Sequence, residues 1–170
     1  HLYETFYLVQ RLESEKDGGS SKEFLAIKDE FPDFKRNFLS ALLNDLNTAF
    51  ALGHLFSFES KLYDLATKAS QRLTIKDVVE LKEMLRELQR FVGSLLGIAE
   101  EDPAEFFKKE RERKLTQQGI SVSLVEELIE KRSLARKEKN FALADSIREE
   151  LKAYKVVLKD FKRETFWYVE

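Results

Sequence analysis

Apolar residues recur at helical spacing along most of the chain. Leu2, Phe6, Val9 and Leu12 predict a helix over about 1–13. Asp17-Gly18-Gly19-Ser20-Ser21 reads as a loop. Phe34, Phe38 and Leu42 mark the buried face of a second helix or helix pair over about 22–44, with a break expected at Phe31-Pro32-Asp33. Asn47 and Thr48 are capping types and should separate it from a third helix, about 48–70, with Leu52, Leu55, Phe56, Leu62 and Leu65 inside. Thr74 and Asp77 have capping-box spacing. Behind them Val78, Leu81, Leu85, Leu88, Val92 and Leu95 step by three and four, the seam of a helical bundle, and Gly97 should end that helix. Asp102-Pro103 supplies a cap and a first-turn proline for a charged helix ending near Gly119.

The last fifty residues change style. Ser123 and Glu126 form a capping-box pattern before a stretch in which Leu124, Leu128 and Ala135 share a face. Lys131, Arg132, Arg136 and Lys139 line its other faces. Asn140 interrupts and should cap a further helix over about 141–153. Val156-Val157-Leu158 and Thr165-Phe166-Trp167-Tyr168-Val169 are β-branched and aromatic runs around a charged turn at Lys162-Arg163-Glu164, so a short β-hairpin is expected. The pattern predicts a mainly α chain: a helical bundle with its linker helix over 1–119, then a small α+β domain over 120–170 made of a helical hairpin and a β-hairpin. No internal repeat stands out.

Composition sharpens this. The chain has 170 residues, of which 43% are apolar and 35% charged, with only 6 Gly and 2 Pro, which suits a helical globular fold. The absence of cysteine excludes disulfides, thiolate metal sites and a cysteine nucleophile in this chain. No apolar run reaches the roughly 18 residues that span a bilayer, and residues 1–16 lack the apolar core of a secretory leader. The chain opens on His1 in helical style, which reads as a piece cut from a longer protein. The net charge is −2, but Lys131 to Arg163 holds eleven Lys+Arg against five Asp+Glu, a balance of +6 that leaves −8 for the remainder. An acidic body with a basic C-terminal segment suits a module that meets a polyanion at one end.

Chemistry is sparse. The chain has no GxxxxGK, GxGxxG or HExxH motif. His54 has no acidic partner at a useful spacing and reads as a packed or half-exposed histidine; Tyr3 and Tyr7 read as core-edge residues. Lys108 to Lys114 reads as a solvated face, with phosphate contact as the rival. Binding is better supported. Between Ala135 and Asp145, guanidinium, ammonium, aromatic and carboxylate groups interleave around a helix–helix turn. Such sets read single-stranded RNA, because aromatic faces stack bases while Arg and Asp meet base edges. The same spacing allows Phe141 as a core residue closing the turn, Asp145 paired with Arg148, and Arg136 as a solvated side chain. Spacing alone does not rank RNA above a protein-interaction hairpin.

At these residues the sequence resembles the cysteinyl-tRNA synthetase family, class I aminoacyl-tRNA synthetases. Phe38-Leu39-Ser40-Ala41-Leu42-Leu43-Asn44-Asp45-Leu46-Asn47-Thr48-Ala49-Phe50-Ala51-Leu52 is similar to the family's F-x-x-A-[LM]-D-D-D-L-N-T-P-x-A-L. Leu128 to Arg148 resembles L-I-x-x-R-x-x-A-R-x-x-K-[DN]-[WF]-x-x-A-D-x-[IA]-R. Val156 to Asp160 and Thr165-Phe166-Trp167 resemble the G-I-x-L-x-D…G-T-x-W ending, and His1 to Thr5 resembles the R-L-Y-x-T leading out of the catalytic half. The sequence departs from these patterns at Asn44 and Ala49, and at Lys155 and Glu164, which stand where the family has glycine.

The resemblance implies a C-terminal half: a DALR-type helical bundle followed by an anticodon-binding domain. It implies tRNA for cysteine as partner, with anticodon G-C-A, in a cytoplasmic, ATP-dependent ligase, here expected to be monomeric and without a membrane. By motif position it implies anticodon contacts at Arg136, Phe141, Asp145, Asp160 and Trp167. Lys131, Lys137 and Lys139 are the candidate phosphate contacts. Zinc and ATP are expected in the catalytic part that would precede His1, with no cofactor and no catalytic residue in this chain. The readings from other classes are a non-catalytic helical interaction module and the anticodon domain of another class I synthetase, such as the arginine enzyme. With no phosphate-cradling motif present, the chain alone should not form cysteinyl adenylate. ATP–pyrophosphate exchange with purified chain should stay at the level of a no-protein control.

Overall fold

The computed structural model describes residues 1–161 and 165–170. The turn expected at Lys162-Arg163-Glu164, and with it the glycine replacement at Glu164, lies outside the described residues. The elements follow the chain as α1 (Leu2–Gln10), α2 (Lys22–Leu43), α3 (Thr48–Lys68), a single 3₁₀ turn (Ser70–Arg72), α4 (Ile75–Leu96), α5 (Pro103–Gln117), α6 (Val122–Lys137), α7 (Phe141–Ala153), β1 (Val156–Asp160) and β2 (Thr165–Val169). This is the mainly α bundle followed by a two-stranded antiparallel hairpin that the periodicity predicts. The chain divides into two compact units, His1–Pro103 and Ala104–Glu170.

In the first unit α1 packs on α3 and α4, and α2 on α3. α2 buries Phe24, Ile27, Phe31, Phe34, Phe38 and Ala41, one stripe at steps of three and four. The helix runs through Pro32 unbroken, contrary to the expected break there. Proline inside a helix costs about 3 kcal/mol. Burying the phenylalanines on either side offsets it, at roughly 1.5–3 kcal/mol each. Phe31 and Phe34 stack on Phe58 of α3 with ring centroids 5.5 and 4.8 Å apart. On α3 the buried residues are Ala51, Leu55, Phe58, Glu59, Leu62, Leu65 and Ala66. Phe56, expected inside, is instead 50% exposed, because Phe58 occupies the inward position. His54 is half-buried and meets Phe50 edge-on at 4.7 Å.

The start of α4 anchors this unit. Thr74 Oγ1 accepts from the Asp77 N–H at 3.2 Å, and Asp77 Oδ2 accepts from the Thr74 N–H at 3.0 Å, completing the capping box. The same Asp77 oxygen accepts from the N–H of Ser21, the cap of α2, at 2.9 Å, so one carboxylate ties two helix starts together. Burial works against its charge, yet the Ser21 and Thr74 bonds prevail and hold its pKa below the ordinary value. The seam of α4 is buried from Val78 to Val92, whereas Leu95 is exposed. Gly97 takes the left-handed conformation that ends the helix.

In the second unit Leu115, Val125, Leu128, Ile147, Leu151, Val156, Trp167 and Val169 form the core. β1 and β2 pair with Val156 opposite Val169, Leu158 opposite Trp167 and Asp160 opposite Thr165. α6 is capped by Ser121, which accepts from the Leu124 N–H at 3.2 Å, rather than by Ser123, whose hydroxyl lies 3.1 Å from that of Ser121. The charged stretch of α5 is more than a solvated face. Arg111 donates from Nε and Nη2 to the Trp167 carbonyl at 3.0 and 2.6 Å, and Lys114 donates to the Val169 carbonyl at 2.8 Å. These cations cover the outer edge of β2, which would otherwise present unpaired carbonyls.

Lys155, at the junction of α7 and β1, has φ 57°. That is the left-handed region, which costs an L residue with a side chain roughly 1–2 kcal/mol. The glycine that the family pattern places there has a conformational reason. Lys155→Gly should therefore stabilise the second unit by about 1 kcal/mol net of the extra chain entropy of glycine. Urea unfolding followed by the fluorescence of Trp167, the single tryptophan of the chain, measures it; a lower midpoint would contradict this account.

Candidate nucleic-acid interface

The basic helix pair reverses within three residues. Lys139 takes φ 60°, and the Asn140 N–H bonds to the Ala135 carbonyl at 2.8 Å, the long-range closure of a left-handed helix end. Asn140 then caps α7, its Oδ1 accepting from the Leu143 N–H at 3.2 Å. One residue thus closes α6 and opens α7. Phe141 follows as the first residue of α7 and is 61% exposed. It is not the core residue that spacing also allowed.

Arg136 lies in the last turn of α6 and Arg132 one turn earlier, on the same face. Both reach Asp160 at the end of β1. Arg132 makes a two-pronged contact, Nη1 to Oδ1 at 3.0 Å and Nη2 to Oδ2 at 2.7 Å. Arg136 Nη1 donates to Oδ2, and the Thr165 hydroxyl donates to Oδ1 at 2.8 Å. Four donors therefore fill the acceptor positions of one carboxylate. Arg132 is only 5% exposed, whereas about half of the Arg136 side chain is open. Arg132 is the residue that sequence reading placed on an outer face. Its four-residue spacing to Arg136 was a signal, but the carboxylate that draws it inward lies 28 residues downstream.

The hydrogen bond from Arg132 is the main cause holding the Asp160 carboxyl well below the usual carboxylate range. Burial opposes it, and Thr165 and Arg136 reinforce it. Arg132 is correspondingly raised, chiefly by its bond to Asp160, with Asp145 adding attraction.

The other candidates fall into three settings. Asp145 is exposed on α7, and among the described residues it does not pair with Arg148. Lys131, Lys137 and Lys139 are all exposed. Trp167 is separate from them: it is 6% exposed, sits in the core and lies under the Arg111 guanidinium at 4.3 Å from the ring centroid. Its side chain does structural work. The α6–α7 turn therefore gathers an open aromatic ring, a guanidinium held from one side, an exposed carboxylate and lysines. Such a set can stack a base, donate to a base edge and meet phosphates.

A depressed carboxylate pKa makes folding pH-dependent with a definite sign. The contribution of Asp160 is fully present above its unfolded value of about 3.9 and is lost as pH falls below that toward the folded value. Between about pH 4 and pH 2, the wild-type chain should lose second-unit stability faster than Asp160→Asn. Urea midpoints read by Trp167 fluorescence across that range check this; parallel pH profiles would remove Asp160 from the acid response.

No protein-family model matches the chain. Its relatives are nonetheless consistent. A cysteine–tRNA ligase of Lawsonia intracellularis is 35% identical over 88% of this chain and 30% of its own length. That of Nitratidesulfovibrio vulgaris is 32% identical over 99% of this chain and 34% of its own length. That of Thermodesulfovibrio yellowstonii is likewise 32% identical over 99% and 34%. The chain spans about a third of the length of the curated relatives it matches. It is therefore homologous, along nearly its whole length, to a region of the cysteine–tRNA ligases, aminoacyl-tRNA synthetases of protein biosynthesis.

Proposed function

We propose that this chain is the tRNA-binding C-terminal part of a cysteine–tRNA ligase, and that its α6–α7 turn reads the anticodon of tRNA for cysteine. The observation that carries this is the exposed Phe141 at the start of α7, five residues after the Asp160-bound Arg136 in the last turn of α6. In this reading Phe141 stacks a splayed base, and Arg136 meets the acceptor pair of guanine with donors that Asp160 does not use. Asp145 accepts from an exocyclic amino group, and Lys131, Lys137 and Lys139 meet phosphates. ATP, zinc and the chemistry on cysteine belong to the part of the protein outside this third.

Two measurements test it. Binding of the 170-residue chain to a G-C-A anticodon stem-loop should weaken with salt, with a slope of log K against log salt of about −2 to −4 if a few phosphates are neutralised. A flat response would favour a protein-interaction hairpin, for which Phe141 and Leu143 of α7 and Leu134 of α6, all exposed, would serve. Arg136→Ala should cost about 1–3 kcal/mol against the cognate loop and much less against a loop with its guanine replaced, because that contact is already gone. Lys137→Ala should weaken both loops alike. Simple additivity of the Arg136 and guanine changes would return Arg136 to the solvated surface.

A further inference from the structure

The acceptor count at Asp160 has a consequence for how the turn recognises its ligand. Two oxygens receive four donors: two from the buried Arg132, one from the Thr165 hydroxyl and one from Arg136. A carboxylate so occupied has no lone pair left for a cytosine or adenine amino group. Its neutralising partner, Arg132, is nearly inaccessible and cannot reach a ligand itself. Arg136 differs. Only its Nη1 is engaged, and among the described residues Nε and Nη2 have no partner. The planar guanidinium is thus held along one edge and open along the other. A free surface arginine gives up rotamer freedom when it forms a two-pronged contact. One already fixed at Nη1 loses less.

We infer that Asp160 is a positioning residue, not a base reader: anchored by Arg132 and Thr165, it fixes Arg136 so that its remaining donors face an acceptor pair such as guanine O6 and N7. This rests on the anticodon reading above and changes the role of one residue within it. The family pattern puts a base contact at Asp160, whereas the geometry puts the contact one side chain away. Thr165 belongs to the same device but touches only the oxygen that Arg136 does not use.

The test is a cycle in the 170-residue chain, reading discrimination between a G-C-A stem-loop and the same loop carrying 7-deazaguanine, which lacks the N7 acceptor. Wild type should prefer the unmodified loop by about tenfold. Asp160→Asn and Arg136→Ala should each remove that preference, and the double variant should be no worse than Arg136→Ala alone. The salt slope should stay unchanged for Asp160→Asn, a readout that a general loss of structure would move. Where Asp160→Asn proves unstable, Asp160→Glu keeps charge and acceptors but displaces them, and it should show the same non-additivity. Thr165→Val should keep most of the preference. If Asp160 and Arg136 changes are additive, Asp160 reads a base itself and the positioning role is overturned. If wild type binds the stem-loop with the expected salt slope but shows no N7 preference, the fixed guanidinium does not read guanine and the inference also falls. No stem-loop binding at all would instead sink the anticodon reading beneath it.

Discussion

A single carboxylate organises the second unit. Asp160 gathers Arg132 and Arg136 from α6 and Thr165 from β2 onto the end of β1. Its charge is what lets a guanidinium be buried beside it. Removing an unpaired arginine from water would cost several kcal/mol, and only a matched carboxylate with its remaining lone pairs filled makes the burial tolerable. The depressed Asp160 and the raised Arg132 are two signs of the same mutual dependence. Replacing either partner alone leaves the other charge stranded. Replacing both with apolar groups of similar shape could keep the packing, but it would release Arg136.

That dependence explains what the sequence disclosed and what it concealed. Elements set by local chemistry were legible. Asn140 as the cap of α7, the 141–153 helix, the Thr74–Asp77 capping box, the Val78–Val92 seam and both strands follow from spacing and residue type within a few turns. What escaped was set by partners far along the chain. Pro32 looks like a helix break until Phe31 and Phe34 are seen stacked on Phe58. Arg132 looks solvated until Asp160 arrives from β1. The charges of α5 look like a free face until Arg111 and Lys114 meet the carbonyls of β2. Ser123 has the better capping-box pattern, but Ser121 precedes it and takes the helix start.

The candidate site shows the same division. Phe141 and Asp145 are exposed in keeping with a binding role, and both were visible because they lie within nine residues of Arg136 on one turn. Trp167 has the motif position but the surroundings of a core residue, closed between Leu115, Val125 and the rest of the cluster and covered by Arg111. Motif position and burial answer different questions. The first says what a position has been used for in relatives; the second says which atoms a ligand can reach here.

The backbone carries its share of the design. Lys139 and Lys155 both take left-handed conformations, one at each end of α7, at a cost of roughly 1–2 kcal/mol each. What the first secures is a reversal in three residues, with the Asn140 N–H closing α6 while its side chain opens α7. A longer connection would let Arg136 and Phe141 separate. The second turns the chain from α7 into β1, and the Lys155 carbonyl accepts from the Glu170 N–H at 2.9 Å to close the far end of the hairpin. That register brings Asp160 opposite Thr165 at the other end. Two strained lysines therefore bracket the helix that presents Phe141 and set the strand that delivers Asp160 to Arg136. Strain at such positions persists only because the surrounding contacts over-determine them. Here those contacts are the helix cap at Asn140 and the four donors on Asp160, so the turn and the charge cluster stabilise one another.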